Sequence, residues 1–295
     1  MTAGKRRYLI IHNPVSGARN SNKLKKILKM MTRSGLEYIL AGTEYPGHAS
    51  SIAREASQEE DPDLVIVAAG GDGTISEVAA GLGEEAAPIG IIPLGTANVL
   101  ARELGIGTSL KKAFLVLKEG LCMPVHPGRA GDKRFLLMVG AGYDSLAVSE
   151  LNSNEKKRYG ALAYIFAATR AVRRFSSLNV SAKVDGETYS GASVIVSRAR
   201  LYGGPFTIAP DADLADQAFH VLVLKHKGFW AALKYGLALA TNRIWKLSSV
   251  DYVRTTSEVT ITSAIDMPCQ YDGDGGLVAP LTLSVDRQKL QILGP

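Results

Sequence analysis

A glycine-rich segment with one carboxylate, Gly70-Gly71-Asp72-Gly73-Thr74, directly follows the apolar run Leu64–Ala69. Glycine carries no Cβ, so the backbone N–H groups of such a turn can approach an anion closely. Thr74 and Glu77 match the T-x-x-E capping box, which predicts a helix beginning at Thr74 and a positive helix end at the same place. These features predict a phosphate site. The carboxylate of Asp72 suits phosphates that arrive with Mg²⁺, because the cation reverses the sign of the local field.

Three other polar stretches follow predicted strands in the same half of the chain. They are His12–Arg19 after the first strand, Gly42–Ala49 after the second and Pro93–Asn98 after the fourth. Ligands of open α/β sheets bind at the carboxyl ends of parallel strands, so we expect the four loops to converge on one ligand. Each loop alone would be read as an ordinary turn, because Asn-Pro and Asp-Gly pairs are common in turns.

The elements that must position these loops alternate along the first part of the chain. Short β-branched runs and helical patterns follow one another up to about residue 120, which predicts an α/β domain with a parallel sheet. From about residue 121 alternating strands dominate and are interrupted by helical segments at 157–174 and 228–246, which predicts a mostly antiparallel β-sandwich. We therefore expect two domains, residues 1–123 and 124–295.

Composition narrows the class of protein. The chain has 295 residues, 46% of them hydrophobic, which excludes a disordered or fibrous protein. Cys122 and Cys269 stand far apart without a CxxC pattern, so we expect neither a disulfide framework nor a zinc site. The N-terminal apolar run is too short for a signal peptide, and Phe229–Ala240 is shorter than the roughly 20 residues that span a bilayer. We expect a cytoplasmic protein.

The sequence lacks the motifs of two common nucleotide-binding sites. The chain has no GxxxxGK[ST] and no GxGxxG after a strand, so neither a Walker-type NTPase nor a Rossmann dehydrogenase is supported. The net charge is +6, and it is unequally distributed: residues 1–126 hold 14 Lys and Arg against 13 Asp and Glu, and the remainder holds 20 against 15. A basic second half is typical of proteins that meet anionic surfaces, although it is equally compatible with a solvated face.

Several motifs, taken together and in order, resemble the catalytic domain of the diacylglycerol kinase superfamily, which also contains sphingosine and ceramide kinases. The N-terminal motifs are NPVSG at 13–17, GGDGTISEV at 70–78 and PLGTANVLAREL at 93–104. The later ones are GAGYDS at 140–145, APDADLADQAF at 209–219 and QYDGDGG at 270–276. GGDGT alone is shared with NAD kinases and 6-phosphofructokinases, so the specificity comes from the combination.

The resemblance implies a two-domain kinase that transfers the γ-phosphoryl group of ATP, with Mg²⁺, to a lipid hydroxyl. The positions that match nucleotide contacts are Asn13, Ser16, Gly17, Thr43, Gly70, Gly71, Asp72, Gly73, Thr74 and Thr96. Asp72 matches an acid associated with nucleotide and metal, and Asp274 occupies the place of a glutamate proposed as general base. Asp213, Asp216 and the Ala218 carbonyl match a loop that binds a structural metal.

The chain departs from the family pattern at several positions. Asp274 is one methylene shorter than the usual Glu, and Val99 stands where many members have Asp. Gln217 and Ala218 replace a glycine and a larger apolar residue, which puts metal binding there in question. Two alternatives therefore stay open: an NAD kinase or other kinase of a soluble substrate, and a catalytically idle binding protein. NAD kinases pair GGDGT with an Asn-Glu dipeptide, and Asn154-Glu155 lacks the expected surroundings.

Two basic, partly apolar segments, 155–175 and 228–246, have the composition of helices that lie on a membrane surface. The alternative is that each is an amphipathic helix packed on the sandwich. The expected partners are a nucleotide, a lipid substrate at a membrane surface and, as an open alternative, a second copy of the chain in a homodimer. Nucleic acid is not expected. The expected location is the inner face of the cytoplasmic membrane, as a peripheral protein.

Overall fold

The computed structural model describes residues 6–14, 18–59, 61–83, 86–143, 145 and 179–295. The predicted nucleotide residues Ser16 and Gly17, the Asn154-Glu155 pair and the basic segment 155–175 lie outside the described residues. The chain divides into two compact units, one formed by Met1–His126 with Arg287–Pro295 and the other by Pro127–Asp286. The C-terminal residues thus belong to the first unit, whereas the sequence pattern assigned them to the second domain.

Strands and helices alternate through the first unit, as the pattern predicts. In chain order they are β1 (Arg7–His12), α1 (Ala18–Arg33), β2 (Glu37–Gly42), α2 (His48–Ser57), β3 (Leu64–Gly70), α3 (Asp72–Gly81), β4 (Ile89–Pro93), α4 (Val99–Glu103), α5 (Leu110–Glu119) and β5 (Leu121–Val125).

Strands dominate the second unit, and one further strand follows it. In chain order they are β6 (Gly128–Ala130), β7 (Lys133–Phe135), β8 (Met138–Gly142), β9 (Val180–Val184), β10 (Glu187–Gly191), β11 (Ser193–Ser197), β12 (Leu201–Tyr202), β13 (Phe206–Thr207), β14 (Phe219–Leu224), α6 (Phe229–Ala240), β15 (Val250–Thr255), β16 (Val259–Ser263), β17 (Met267–Tyr271), β18 (Asp274–Ala279), β19 (Leu281–Val285) and β20 (Leu290–Gly294).

The sheet of the first unit has the strand order β2-β1-β3-β4-β20-β5. Strands β1 to β4 are parallel, and β3 and β4 are buried along their whole length, as expected for strands covered by helices on both faces. Strand β20 adds to this sheet, parallel to β4 and antiparallel to β5. The predicted α/β domain with a parallel sheet is confirmed, and its last two strands come from beyond the alternating pattern.

The second unit contains two six-stranded sheets, in the orders β10-β9-β16-β19-β6-β7 and β15-β14-β11-β8-β17-β18. All the described pairings in both are antiparallel. The predicted antiparallel β-sandwich is therefore confirmed. Its core contains Phe135, Phe219, Val194 and Ile261, and Ala232 of α6 packs against it. No helix among the described residues has the length and apolar character needed to pass through a membrane.

Candidate active site

The four predicted loops begin at one edge of the parallel sheet. In the pairing register, His12 at the end of β1 lies beside Gly42 of β2 and Ala69 of β3, and Gly70 lies beside Pro93 of β4. The backbone N–H of Thr43 donates to the His12 carbonyl at 2.9 Å, which holds the second loop against the first. The register therefore brings the described parts of all four loops to the same edge.

The glycines of this edge are required by close backbone approach. The N–H groups of Leu94 and Gly95 donate to the Gly70 carbonyl at 2.9 and 3.2 Å. A Cβ on Gly95 would lie 2.5 Å from the Gly71 Cα, and one on Gly70 would lie 2.3 Å from the Thr74 Oγ1. No real Cβ fits at those distances, so Gly95 is needed where the β4–α4 loop packs on the β3–α3 turn, and Gly70 is needed where that turn folds back on its own Thr74.

Asp72 is the first residue of α3, so the helix begins two positions before the expected Thr74. The N-cap is Gly71, which has no side chain to accept a capping hydrogen bond, so the predicted capping box of Thr74 and Glu77 is wrong. The Asp72 Oδ1 accepts a hydrogen bond of 3.1 Å from the backbone N–H of Leu100 in α4. One carboxylate thus stands in the first turn of α3, where negative charge is favourable, and also holds the first turn of α4.

Asn98, which precedes α4, was not among the predicted site residues. Its side chain is 0% exposed, and its backbone has a φ of 46°, in the left-handed region that Asn tolerates better than most residues. The Nδ2 group donates to the Gly95 carbonyl at 2.8 Å, and among the described residues the buried Oδ1 has no hydrogen-bond partner. A buried acceptor of this kind calls for a donor from a ligand or water. The sequence signal for this residue was its position: Asn98 is the polar residue that ends PLGTAN, directly before the apolar start of α4.

The other described residues that were predicted to contact a nucleotide lie on these loops. Asn13 and Thr96 are exposed, and Thr43 is half-buried. Arg102, also missed, donates through Nε to the Ala97 carbonyl at 2.8 Å and brings a positive charge to the β4–α4 loop. Burial lowers the pKa of His12, which favours its neutral form. The described part of this edge offers backbone N–H groups, hydroxyls, the cation of Arg102 and the carboxylate of Asp72, a set suited to phosphates.

In the second unit, Asp272 and Gly273 form the two-residue turn between β17 and β18, with φ angles of 49° and 90°. Positive φ at both positions is the type I′ hairpin turn for which Asp-Gly is favoured. Asp272 is buried: Oδ2 accepts from the Leu136 N–H at 2.7 Å, and Oδ1 accepts from the Leu137 and Met138 N–H groups at 2.8 and 3.1 Å. Its carboxylate therefore anchors the hairpin.

Asp274 is the next acid in the motif and has the opposite environment. It is the first residue of β18, pairs with Tyr271 and is exposed. Burial raises the pKa of the Tyr271 hydroxyl, and the negative charge of the paired Asp274 raises it further. Of the two carboxylates, Asp272 is therefore enclosed by backbone amides, and Asp274 is exposed.

The loop predicted to bind a structural metal is closed by an arginine. Arg198 is 0% exposed, and its guanidinium donates to the carbonyl oxygens of Leu214, at 3.1 Å, Asp216 and Ala218. Burial lowers the pKa of Arg198 to about 10, and the nearby carboxylates of Asp216 and Asp213 oppose that shift, so the group is charged at neutral pH.

The carboxylates of the same loop also have partners within the protein. The Asp213 Oδ1 accepts from the Ala215 N–H at 2.9 Å, and the Asp216 Oδ2 accepts from Arg254 at 3.1 Å. In this structure a guanidinium donates to the Ala218 carbonyl, and the carboxylates of Asp213 and Asp216 each accept a hydrogen bond, so the groups predicted to bind a metal already have partners within the protein. The described residues also contain no group of three or more His, Cys, Asp and Glu side chains that could hold a metal ion.

Family models match both parts of the chain. One described as "Diacylglycerol kinase catalytic domain" matches residues 7–130, and one described as "YegS C-terminal NAD kinase beta sandwich-like domain" matches residues 137–294. The diacylglycerol kinase of Bacillus subtilis is 34% identical over 227 residues, covering 75% of this chain and 74% of the relative. That of Staphylococcus carnosus is 29% identical over 297 residues, covering 99% of this chain and 96% of the relative.

Solved structures show the same fold. A diacylglycerol kinase from Bacillus anthracis str. Sterne superimposes with a TM-score of 0.77 at 21% identity, covering 100% of this chain and 99% of the other. A yeast NADH kinase complexed with NADH superimposes with a TM-score of 0.54 at 12% identity, covering 99% of this chain and 84% of the other. These two share the fold, whereas the family models and the Bacillus subtilis relative show the family. The chain belongs to the diacylglycerol kinase family and is a lipid kinase.

Proposed function

We propose that this lipid kinase transfers the γ-phosphoryl group of ATP, bound with Mg²⁺, to the hydroxyl of diacylglycerol. The observation that carries the proposal is the sheet edge where the Gly70–Thr74 turn packs against Gly95 and the carboxylate of Asp72 is held by the Leu100 amide. The choice of diacylglycerol as the acceptor is supported by the names of two relatives, from Bacillus subtilis and Staphylococcus carnosus, which are both diacylglycerol kinases.

The nucleotide side of the reaction belongs to the first unit. Backbone N–H groups of the Gly70–Thr74 turn and the positive end of α3 bind the phosphates, and Arg102 adds a cation near them. Asp72 would hold Mg²⁺, which prefers carboxylate oxygen. When bound, the cation neutralises charge on the phosphate oxygens. Phosphoryl transfer depends mainly on such positioning and charge neutralisation, so this set supplies most of what the reaction needs.

The acceptor side belongs to Asp274. An alcohol is a weak nucleophile at neutral pH, and a carboxylate within hydrogen-bond reach can take its proton as attack proceeds. The acceptor oxygen forms the new bond to the γ-phosphorus, the bond from that phosphorus to the bridging β–γ oxygen breaks, and the proton moves to Asp274. Its exposure leaves room for a substrate hydroxyl, whereas the buried Asp272 is held by three backbone amides.

The direct test incubates the purified protein with γ-labelled ATP and Mg²⁺ against separate acceptors. Diacylglycerol, ceramide and sphingosine are presented in detergent micelles, and NAD is presented in solution. We expect label in phosphatidic acid and in no product of NAD. Label in ceramide phosphate or sphingosine phosphate would show that the acceptor is a different lipid, and the protein would still be a lipid kinase. Label in NADP, or transfer to no acceptor, would contradict the proposal.

A further inference from the structure

Helix α6 presents an apolar face to solvent, which we call the α6 face and define by Phe229, Trp230 and Leu237. Trp230 is 78% exposed and Leu237 is 61% exposed. They are seven positions apart, two helical turns, so they lie on one side of the helix. Tyr235 and Ala238 on the other side are buried, and Ala232 packs on the sandwich core. The apolar side chains that point outward are therefore additional to those that attach the helix.

The start of α6 is firmly held. The Gly228 N–H donates to the Tyr143 hydroxyl at 2.8 Å. The Tyr235 hydroxyl accepts from the His226 N–H at 3.0 Å and donates to the Ser249 carbonyl at 3.0 Å. The rings of Phe229 and Trp230, directly after this anchor, pack edge to face with their centroids 5.3 Å apart. The aromatic pair thus stands on a fixed support, which lowers the entropic cost of using it as a contact.

Positive charge surrounds the α6 face. Residues 217–250 contain no Asp or Glu. Four exposed cations lie before, within and after the helix: Lys227, Lys234, Arg243 and Lys246. A fifth, Lys225, forms an ion pair of 2.7 Å with Asp251. An exposed apolar strip with Trp and Phe at one end and basic residues around it is the composition of a helix that lies in a membrane interface.

We propose that the α6 face docks the protein on an anionic membrane surface, with the helix lying in the plane of the interface. The inference rests on the proposed function to the extent that a bilayer is where the acceptor is found. The positive charge around the α6 face indicates which kind of partner can bind there. A second copy of the same face would bring like charges together, and segment 155–175 contains Lys156, Lys157, Arg158, Arg170, Arg173 and Arg174 against one acid, Glu155, so it would also repel. Anionic lipid complements both the charge and the apolar strip.

The test is co-sedimentation of the full-length protein with vesicles in the absence of ATP. We expect binding to vesicles of phosphatidylcholine with phosphatidylglycerol, weaker binding to phosphatidylcholine alone, and quenching of Trp fluorescence by brominated acyl chains. The double variant Trp230→Ala/Leu237→Ala should lose affinity by about tenfold or more, since two large apolar side chains leave the interface. Lys234→Glu/Lys246→Glu should remove the preference for anionic lipid. Ile265→Ala, which truncates an exposed apolar side chain elsewhere in the unit, is the matched control.

Several outcomes would overturn the inference. They are no binding to anionic vesicles, binding unchanged in the Trp230→Ala/Leu237→Ala variant, or a concentration-dependent dimer in ultracentrifugation that this variant abolishes. Binding of a fluorescent RNA duplex that removes the protein from vesicles would assign the face to nucleic acid instead. A parallel assay with dispersed short-chain diacylglycerol separates the two proposals: phosphorylation there without vesicle binding refutes only the docking surface, and vesicle binding without phosphorylation refutes only the proposed acceptor.

Discussion

The sheet edge of the first unit was predicted as a ligand site from its four loops, and the 209–219 loop of the second unit was predicted from its resemblance to a family motif. The two regions differ in how their polar groups are satisfied. At the edge, glycine backbones pack together and the buried Asn98 Oδ1 lacks a partner among the described residues. In the loop, the guanidinium of Arg198 donates to three carbonyl oxygens. A motif therefore marks where a ligand would fit, and the surrounding residues decide whether the protein needs one.

The same contrast occurs within one hairpin turn. Asp272 is buried and its carboxylate accepts three backbone N–H groups, whereas Asp274, two residues later, is exposed. Two acids of one short motif thus have separate roles, one in holding the turn and one at the surface. The predictions for Asp274, Arg198 and Asp72 test these contrasts, and the prediction for His220 tests a further buried polar side chain of the second unit.

The largest effect is expected for Asp274→Asn. If Asp274 takes the proton from the acceptor, its loss should lower kcat by roughly 100- to 10,000-fold, the usual contribution of a general base. ATP binding and thermal stability should change little, because the side chain is exposed. Steady-state kinetics and calorimetric ATP titration measure both. Asp266→Asn, an exposed acid just before β17, is the control and should match the parent; turnover retained in Asp274→Asn would contradict the assignment.

Next is Arg198→Met, which should destabilise the protein by roughly 3 to 5 kcal/mol because buried carbonyls lose a charged donor. Arg198→Lys should retain part of the stability because it keeps the positive charge. It should lose the rest because an ammonium lacks the planar fork that reaches several carbonyls. Urea unfolding gives the free energies.

The same experiment asks whether the loop uses a metal. With Arg198 in place, EDTA and Mg²⁺ should not shift the urea midpoint in the absence of nucleotide. A parent protein that loses stability in EDTA and regains it with Mg²⁺ would show that a metal, and not the guanidinium, completes this loop.

A smaller effect is expected for Asp72→Asn. The amide keeps an oxygen that can accept from the Leu100 N–H, so the fold should be retained, while the charge that would hold Mg²⁺ is lost. We expect the KM for ATP·Mg to rise by about 10- to 100-fold, equivalent to roughly 1.5 to 3 kcal/mol. Asp63→Asn, at the other end of β3, is the control. The metal role would be refuted by an unchanged dependence of rate on Mg²⁺.

The smallest effect is expected in the pH dependence of the protein's stability, through His220 in the second unit. His220 is buried, its Nδ1 lies 2.7 Å from the Tyr252 hydroxyl, and burial followed by the charge of Arg254 lowers its pKa from 6.5. The unfolded chain binds the proton first as pH falls through 6.5, so this contribution to stability is present above that pH and lost below it.

Urea midpoints at pH 7 and pH 5 measure that loss. His220→Asn, which keeps a polar atom near Tyr252, should be less stable at pH 7 but should lose less on acidification. His226→Asn serves as the control because His226 is exposed. An equal acid-induced loss in the parent and in His220→Asn would assign the effect to other groups.

Much of the fold could be predicted because its signals are local. The continuous apolar run of β3 predicts a buried parallel strand, and Asp272-Gly273 predicts the tight turn between β17 and β18. The start of α3 was predicted too late because T-x-x-E is a local pattern, whereas Asp72 is placed at the helix start by a contact with Leu100 in another element.

By itself, the sequence determined the two classes of structure, the alternating order of the first unit and the set of loops that meet at one sheet edge. Tertiary structure alone decided three things: that β20 completes the first sheet, that Arg198 closes the 209–219 loop, and that Asp272 is buried while Asp274 is exposed. The reason is that residue spacing records which side chains share a strand or helix. Burial and hydrogen-bond partners depend on segments that are distant in the chain.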